Sequence, residues 1–275
     1  MSALKENLIV KEKKGSVKKL SDNQKANIKG FKDTIINSDN VIVKYRAYLM
    51  LINYLENALQ LNKPIYKHDI NIDYKVANAK ISKKDTIIFS FGTALICYSA
   101  IKGYCQLYKN KKCYALRNEL QYNTSVLYKH RQYKQFKKLK AWQLARAFIK
   151  IKRNEAKKGN NIKYIRINES ADIQKKHFNK LNKISDILKK HGIKIYTYTH
   201  NREVKQSDIK SDNLTINSSN KQIKLGNRFL SYDHAKVKRI MQSKKDKKII
   251  ECIADCSKCK ACTIANNLTI LCNIH

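Results

Sequence analysis

Between residues 163 and 199 the chain spells out a strand, a helix and a second strand, and this order restricts the fold more than any other feature. KYIRI (Lys163–Ile167) reads as a strand. The stretch Asp172–Lys190 places Phe178, Leu181, Ile184 and Leu188 on one helical face, and Gly192 stops it. IKIYTYT (Ile193–Thr199) reads as the next strand. Strand, helix, strand in this order is a βαβ unit, which favours a parallel sheet. TIIFSF, bounded by Asp85 and Gly92, predicts a buried strand earlier in the chain, and Leu214–Ile216, Arg228–Tyr232, Lys248–Ile253 and Leu268–Ile274 are further candidates. The expected fold class is α/β: a parallel sheet flanked by helices, a partial or full TIM-like barrel being one form of it, with a Cys-rich C-terminal segment.

Helical periodicity predicts a helix from Val41 to Leu61, capped by Asp39 and broken by Pro64, with Val43, Ala47, Met50, Leu51, Tyr54, Leu55 and Ala58 on its apolar face. Two more helices are predicted over Tyr114–Lys137 and Leu139–Lys158. In the second, Trp142, Ala145, Phe148, Ile149 and Ile151 form the inward side. Residues 1–40 are polar and Lys-rich and are expected to form a basic N-terminal arm. Residues 41–275 are then expected to form a single α/β metal-binding domain.

Charge narrows the function classes. Lys and Arg number 58 against 21 acids, a formal net charge of +37. An AT-rich coding bias accounts for abundant Lys, Asn, Ile and Tyr, but not for the shortage of Asp and Glu. Such a field implies a polyanionic partner, for which nucleic acid, DNA or RNA, is the leading expectation. No apolar run approaches the roughly 20 residues that cross a bilayer, and the N-terminus lacks a secretory pattern, so no membrane partner and a cytoplasmic location are expected.

In a reducing compartment eight cysteines point to metal rather than disulfides. The sharpest signal is Cys252-x3-Cys256-x2-Cys259-x2-Cys262. Two-residue spacings let a tight turn aim successive thiolates at one centre, and Cys256, Cys259 and Cys262 match the first three ligands of a bacterial ferredoxin site. Cys252, Cys256 and Cys259 also have the spacing with which radical enzymes hold a 4Fe-4S cluster that binds S-adenosylmethionine, although their place near the chain end speaks against that reading. Zinc is the alternative, but zinc pairs are usually separated by a dozen or more residues, and here they overlap. A second set, Cys97, Cys105 and Cys113, lies in the loop after TIIFSF, where α/β folds place their sites. Cys272, in an apolar run, is read as a core residue.

Arg166, Ser170 and Asp172 sit where KYIRI runs into a helix. They are candidate catalytic residues, with Arg166 as an anion contact. The plainer reading makes Ser170 an N-cap and Asp172 a first-turn acid. Tyr198 and Thr199, followed by His200 and Arg202, form a similar group at the next strand end and are candidate cofactor contacts. Residues 101–158 contain 17 Lys/Arg, two acids and six tyrosines. Lys134, Lys137, Lys138, Lys140, Arg146, Lys150 and Arg153 are candidate nucleic-acid contacts spread along two helices. No P-loop, dinucleotide fingerprint or nucleophile elbow suggests a conventional enzyme.

Cys113-Tyr114-Ala115 with Arg117 and Arg131, then Arg166 to Asp172, Tyr196-Thr197-Tyr198-Thr199, and Cys256-x2-Cys259-x2-Cys262 with His275 follow one another along the chain. Together these segments resemble the phage "gene product 88" family, the second being similar to that family's Arg-x-x-x-Ser-Gly-Asp stretch. The family pattern resembles iron–sulfur barrel proteins related to radical enzymes and implies a phage or mobile-element protein. The sequence departs from it at Ala171, where the family has Gly, and in the wide spacing of Cys97 and Cys105. The function expected is an iron–sulfur protein that binds or acts on nucleic acid by radical or redox chemistry. In an enzyme, the first cysteine loop would hold the reactive cluster and the last cysteines a supporting one. The alternative is a non-enzymatic basic nucleic-acid-binding protein with a structural zinc or cluster.

Overall fold

The structure, a computed structural model, describes residues 20–59, 72–76, 85–109, 112–220, 222–223, 225–243, 246–256 and 258–273. They divide into two compact units that alternate along the chain. The first takes the residues up to 75 with 90–138 and 169–171, and the second takes 76–89, 139–168 and 172–275.

The first unit is helical. Helix α1 (Asp22–Asn37) opens on a reciprocal capping box: Ser21 Oγ accepts from Gln24 N at 3.2 Å and Gln24 Oε1 accepts from Ser21 N at 2.9 Å. Ile28, Lys32 and Ile35 are buried. Of the segment expected as an arm, 22–37 is thus a packed helix, and 1–19 lie outside the described residues. Helix α2 (Val41–Leu59) is capped by Asn40 rather than Asp39, because Asn40 Oδ1 accepts from Ile42 N at 2.9 Å. Its inward face is Ala47, Tyr48, Leu51, Ile52, Leu55, Ala58 and Leu59, while Val43 and Met50 are exposed. Pro64 lies outside the described residues. A 3-10 turn at Ala94–Ile96 leads to α3 (Tyr98–Ile101), α4 (Gln106–Lys109), α5 (Tyr114–Gln121) and α6 (Asn123–Lys138). The single helix expected over Tyr114–Lys137 breaks at Tyr122, whose backbone is extended.

The second unit carries the sheet. Its elements are β2 (Thr86–Phe89), α7 (Ala141–Ala156), β3 (Tyr164–Ile167), α8 (Phe178–Lys189), β4 (Lys194–Thr199), β5 (Leu214–Ser218), β6 (Arg228–Tyr232), α9 (His234–Ser243), β7 (Ile249–Glu251) and β8 (Thr269–Asn273). With the two-residue β1 (Lys75–Val76) at its edge, the sheet has eight strands in the order β1-β2-β3-β4-β5-β6-β8-β7. Every pair from β2 to β7 is parallel. Among the described residues no pairing closes the sheet into a barrel.

The register sorts side chains onto two faces. Ile87, Ile165, Ile195 and Leu214 align across four strands. Phe89, on the same face, meets Phe148 of α7 edge-on with ring centroids 5.5 Å apart. This face is the apolar layer under α7 and α8. The opposite face carries Thr86, Ile88, Tyr164, Arg166, Tyr196, Tyr198, Thr215 and Asn217. It is polar and aromatic, and something other than a helix covers it.

Candidate metal centre

The cover is the crossover from β7 to β8. Because these strands are parallel neighbours, the chain leaving Glu251 must return along the sheet before Thr269. A helix usually does this. Here the segment 252–268 does it, with one 3-10 turn at Ala261–Thr263 among its described residues, and all four C-terminal cysteines lie on it.

Two asparagines and a threonine fasten that segment to the sheet. Asn227 is fully buried, and its Nδ2 lies 2.9 Å from Ala261 O, 2.7 Å from Ile264 O and 3.0 Å from Asn217 Oδ1. Its Oδ1 accepts from Asn266 N and Leu268 N, both at 3.1 Å. Asn217 Nδ2 donates to Cys262 O at 2.9 Å and Thr197 O at 3.1 Å, and Thr215 Oγ1 donates to Thr263 O at 3.2 Å. Gly226 lets the chain before Asn227 lie against β5, since a Cβ there would meet Ile216 O at 2.7 Å.

Cys252, Cys256, Cys259 and Cys262 line one pocket, floored by Thr86, Tyr196, Tyr198 and Ile270. Cys256 also packs on Ile88. Burial pushes the Cys262 thiol up to about 12; hydrogen bonding from the Tyr198 hydroxyl works the other way, and charge on Cys252, Cys256 and Cys259 adds to the rise. Cys256 is raised by burial and by Cys252 and Cys259, against the pull of Arg166 and Lys260. Lys260 is itself anchored, 2.7 Å from Asp85 Oδ2 and over the Tyr164 ring at 5.0 Å. Ala254, between the first two cysteines, has φ 55°, a left-handed turn held by an L residue. Mutual repulsion of this kind is what a bound cation inverts. None of the eight cysteines is in a disulfide. The donor set fits a thiophilic centre, although among the described residues no group of three or more His, Cys, Asp or Glu stands at ion-holding distances.

The other expected site residues separate. Arg166 faces the cysteine crossover, its guanidinium 5.2 Å from the Tyr198 ring centroid. Tyr198 is with it, but Thr199 points to the opposite side of β4, where its Oγ1 donates to Asp172 Oδ1 at 2.7 Å. Asp172 also accepts from Ile173 N at 2.6 Å and His200 N at 2.7 Å, so it ties the end of β3 to the end of β4. Ser170 belongs to the helical unit, and its Oγ donates to Glu119 Oε1 at 2.5 Å. It is not a helix N-cap, because the next helical turn starts at Lys175. Its partner Glu119 was not a candidate, yet it is a structural hub. Fully buried, it accepts from Lys129 Nζ at 3.1 Å, Ala94 N at 2.9 Å and Leu95 N at 3.2 Å.

Cys97, Cys105 and Cys113 also lie in the helical unit, Cys97 at the start of α3 and Cys113 at the start of α5. Cys97 and Cys113 flank Tyr108, whose pKa they help raise after burial. Cys272 is half-buried in β8. Lys134, Lys137 and Lys138 are exposed on α6, with Lys134 3.9 Å from Glu56. Lys140, Arg146 and Arg153 are exposed beside or along α7, and Lys150 is half-buried there. Histidine 275 lies outside the described residues.

Fold and site define a parallel α/β protein whose last crossover, in place of a helix, is a four-cysteine segment laid on a tyrosine-lined sheet face. The chain belongs to the gene product 88 family, the phage family its motifs resemble, and the family model matches residues 66–265. No curated protein and no solved structure matches it. Ala171 has φ 64°, a left-handed backbone that glycine, the residue the resemblance implies there, would adopt without strain. Among the described residues no helix is long and apolar enough to cross a membrane.

Proposed function

We propose that this is an iron–sulfur protein in which Cys252, Cys256, Cys259 and Cys262 hold a 4Fe-4S cluster, on a basic chain that binds nucleic acid. The observation that carries the reading is the lining of one pocket by all four thiols, three of which (Cys256, Cys259 and Cys262) have a ferredoxin-like spacing. Such a cluster, when bound, supplies one-electron redox chemistry. The chain's own residues hold the crossover through Asn217 and Asn227, donate to Cys262 from the Tyr198 hydroxyl, and place Arg166 and Lys260 where they favour thiolate at Cys256. A fourth cysteine at the pocket counts against an open iron for S-adenosylmethionine and favours electron transfer or a structural role. It also supports the second reading, a closed four-thiolate zinc site. The nucleic-acid part rests on the net charge of +37.

Cys259→Ala and Cys113→Ala, each purified without oxygen and scored for metal per chain, test the assignment. Loss in the first alone is expected. Partial loss in both would add a second centre at Cys97, Cys105 and Cys113, and no loss in either would overturn the reading.

A further inference from the structure

The sequence pattern places Trp142 on the inward side of α7, and the structure does not. Leu144, Ala145, Ala147, Phe148, Ile151 and Glu155 are the buried residues of this helix, whereas Trp142, the one tryptophan of the chain, is 51% exposed. Its ring therefore presents a large apolar face to solvent, open to a planar partner. At 3.6 residues per turn Arg146 and Arg153 fall within about 40° of Trp142 around the helix axis, one and three turns along. Both are exposed, and among the described residues neither is held in an ion pair. The single acid of the helix, Glu155, is turned inward and engaged by Lys158 and Asn160. The outer face of α7 is therefore an aromatic plane followed by a row of guanidinium groups with no carboxylate among them.

We propose that this face binds single-stranded nucleic acid, with an unpaired base stacked on Trp142 and successive phosphates on Arg146 and Arg153. Stacking on an exposed aromatic beside a cationic track is how proteins hold single strands without reading sequence. A duplex hides its base faces and offers Trp142 nothing to stack on. The site lies outside the cysteine pocket and deepens only the nucleic-acid half of the function proposed above.

The lone tryptophan makes the test direct. Its emission would be followed while the full chain is titrated with a 20-nucleotide oligo-dT, an oligo-U of the same length, a duplex, and heparin, a polyanion without bases. Binding of labelled oligonucleotide would be followed in parallel by anisotropy. Quenching by both single strands, with little from duplex or heparin, is expected; a preference between dT and U assigns DNA or RNA. Trp142→Ala should weaken binding about 5- to 150-fold, and Trp142→Phe should restore most of it. Arg146→Ser with Arg153→Ser should reduce the slope of log affinity against log salt by about 1.4, for two phosphates. Binding by anisotropy with silent tryptophan, or equal quenching by heparin, would overturn the α7 site while leaving the basic chain a nucleic-acid binder. No binding by either readout would overturn both.

Discussion

Replacing Ala171 by Gly should stabilise the protein, and the size of the effect follows from one backbone angle. Ala171 has φ 64°, a conformation that costs an L residue about 1–2 kcal/mol relative to the right-handed region. Glycine carries no such cost but is freer in the unfolded chain, which takes back about 0.4–1 kcal/mol. The methyl group is half-buried, beside Gly92, and its loss costs a few tenths of a kcal/mol more at about 25 cal/mol per Å². The net gain is about 0.5 kcal/mol, reaching about 1 kcal/mol if the methyl contributes nothing. In a chain this size that raises the melting temperature by roughly 1–4 °C. Urea titration of the two proteins side by side measures it as a higher midpoint at unchanged slope. Ala171→Val, which adds a β-branch to the same left-handed backbone, should move the midpoint the other way. If glycine left the midpoint unchanged or lowered it, residue 171 would not be left-handed.

Glu119→Gln should destabilise by about 3–5 kcal/mol, because it leaves Lys129 buried without a counter-charge; a urea midpoint close to wild type would contradict the hub assigned to Glu119. Asp172→Asn turns an amide donor toward groups that themselves donate, at a cost of about 1.5–3 kcal/mol, read as earlier loss of protection from hydrogen exchange at His200 and Ile173. Burial first and neighbouring lysines second hold His130 and His177 at about 4, against 6.5 for a free histidine. Between those values the unfolded chain takes up protons that the folded chain refuses. Stability therefore falls as pH drops from about 6.5 to about 4, by up to about 3 kcal/mol per histidine, and flattens below. Melting temperatures across that window, compared with His130→Gln, check this, and an equal slope in both proteins would refute the assignment to His130. Asn227→Ala should loosen the cysteine crossover and speed metal loss to a chelator, with little change in far-ultraviolet circular dichroism.

The parallel sheet was legible because β-branched runs and one clean βαβ unit leave few alternatives, and β3, α8, β4 and β6 fall within a few residues of their expected places. The helix expected over Asp172–Lys190 starts later, as α8, because Asp172, read as a first-turn acid, is instead bound by Thr199 and His200 across two strand ends. Trp142 was misplaced for a related reason. An aromatic next to an apolar stripe reads as core, and nothing local says that Leu144 and Ala145 fill the space instead. The spacing of the four C-terminal cysteines points to one shared place, and the structure brings them to one pocket. The polar residues that fasten them, Asn217 and Asn227, carry no signal in a sequence rich in asparagine, since their role exists only when the crossover lies on the sheet. Ser170 looked like part of a strand-end site because it follows β3 so closely, but its partner Glu119 is far away in sequence and invisible to local pattern.

Purification without oxygen, followed by iron, zinc and acid-labile sulfide analysis and a visible spectrum, tests the cysteine crossover most directly. Brown protein with iron and sulfide in equal amounts, lost in Cys259→Ala, is the predicted result. Colourless protein carrying stoichiometric zinc, or no metal at all, would contradict the iron–sulfur assignment.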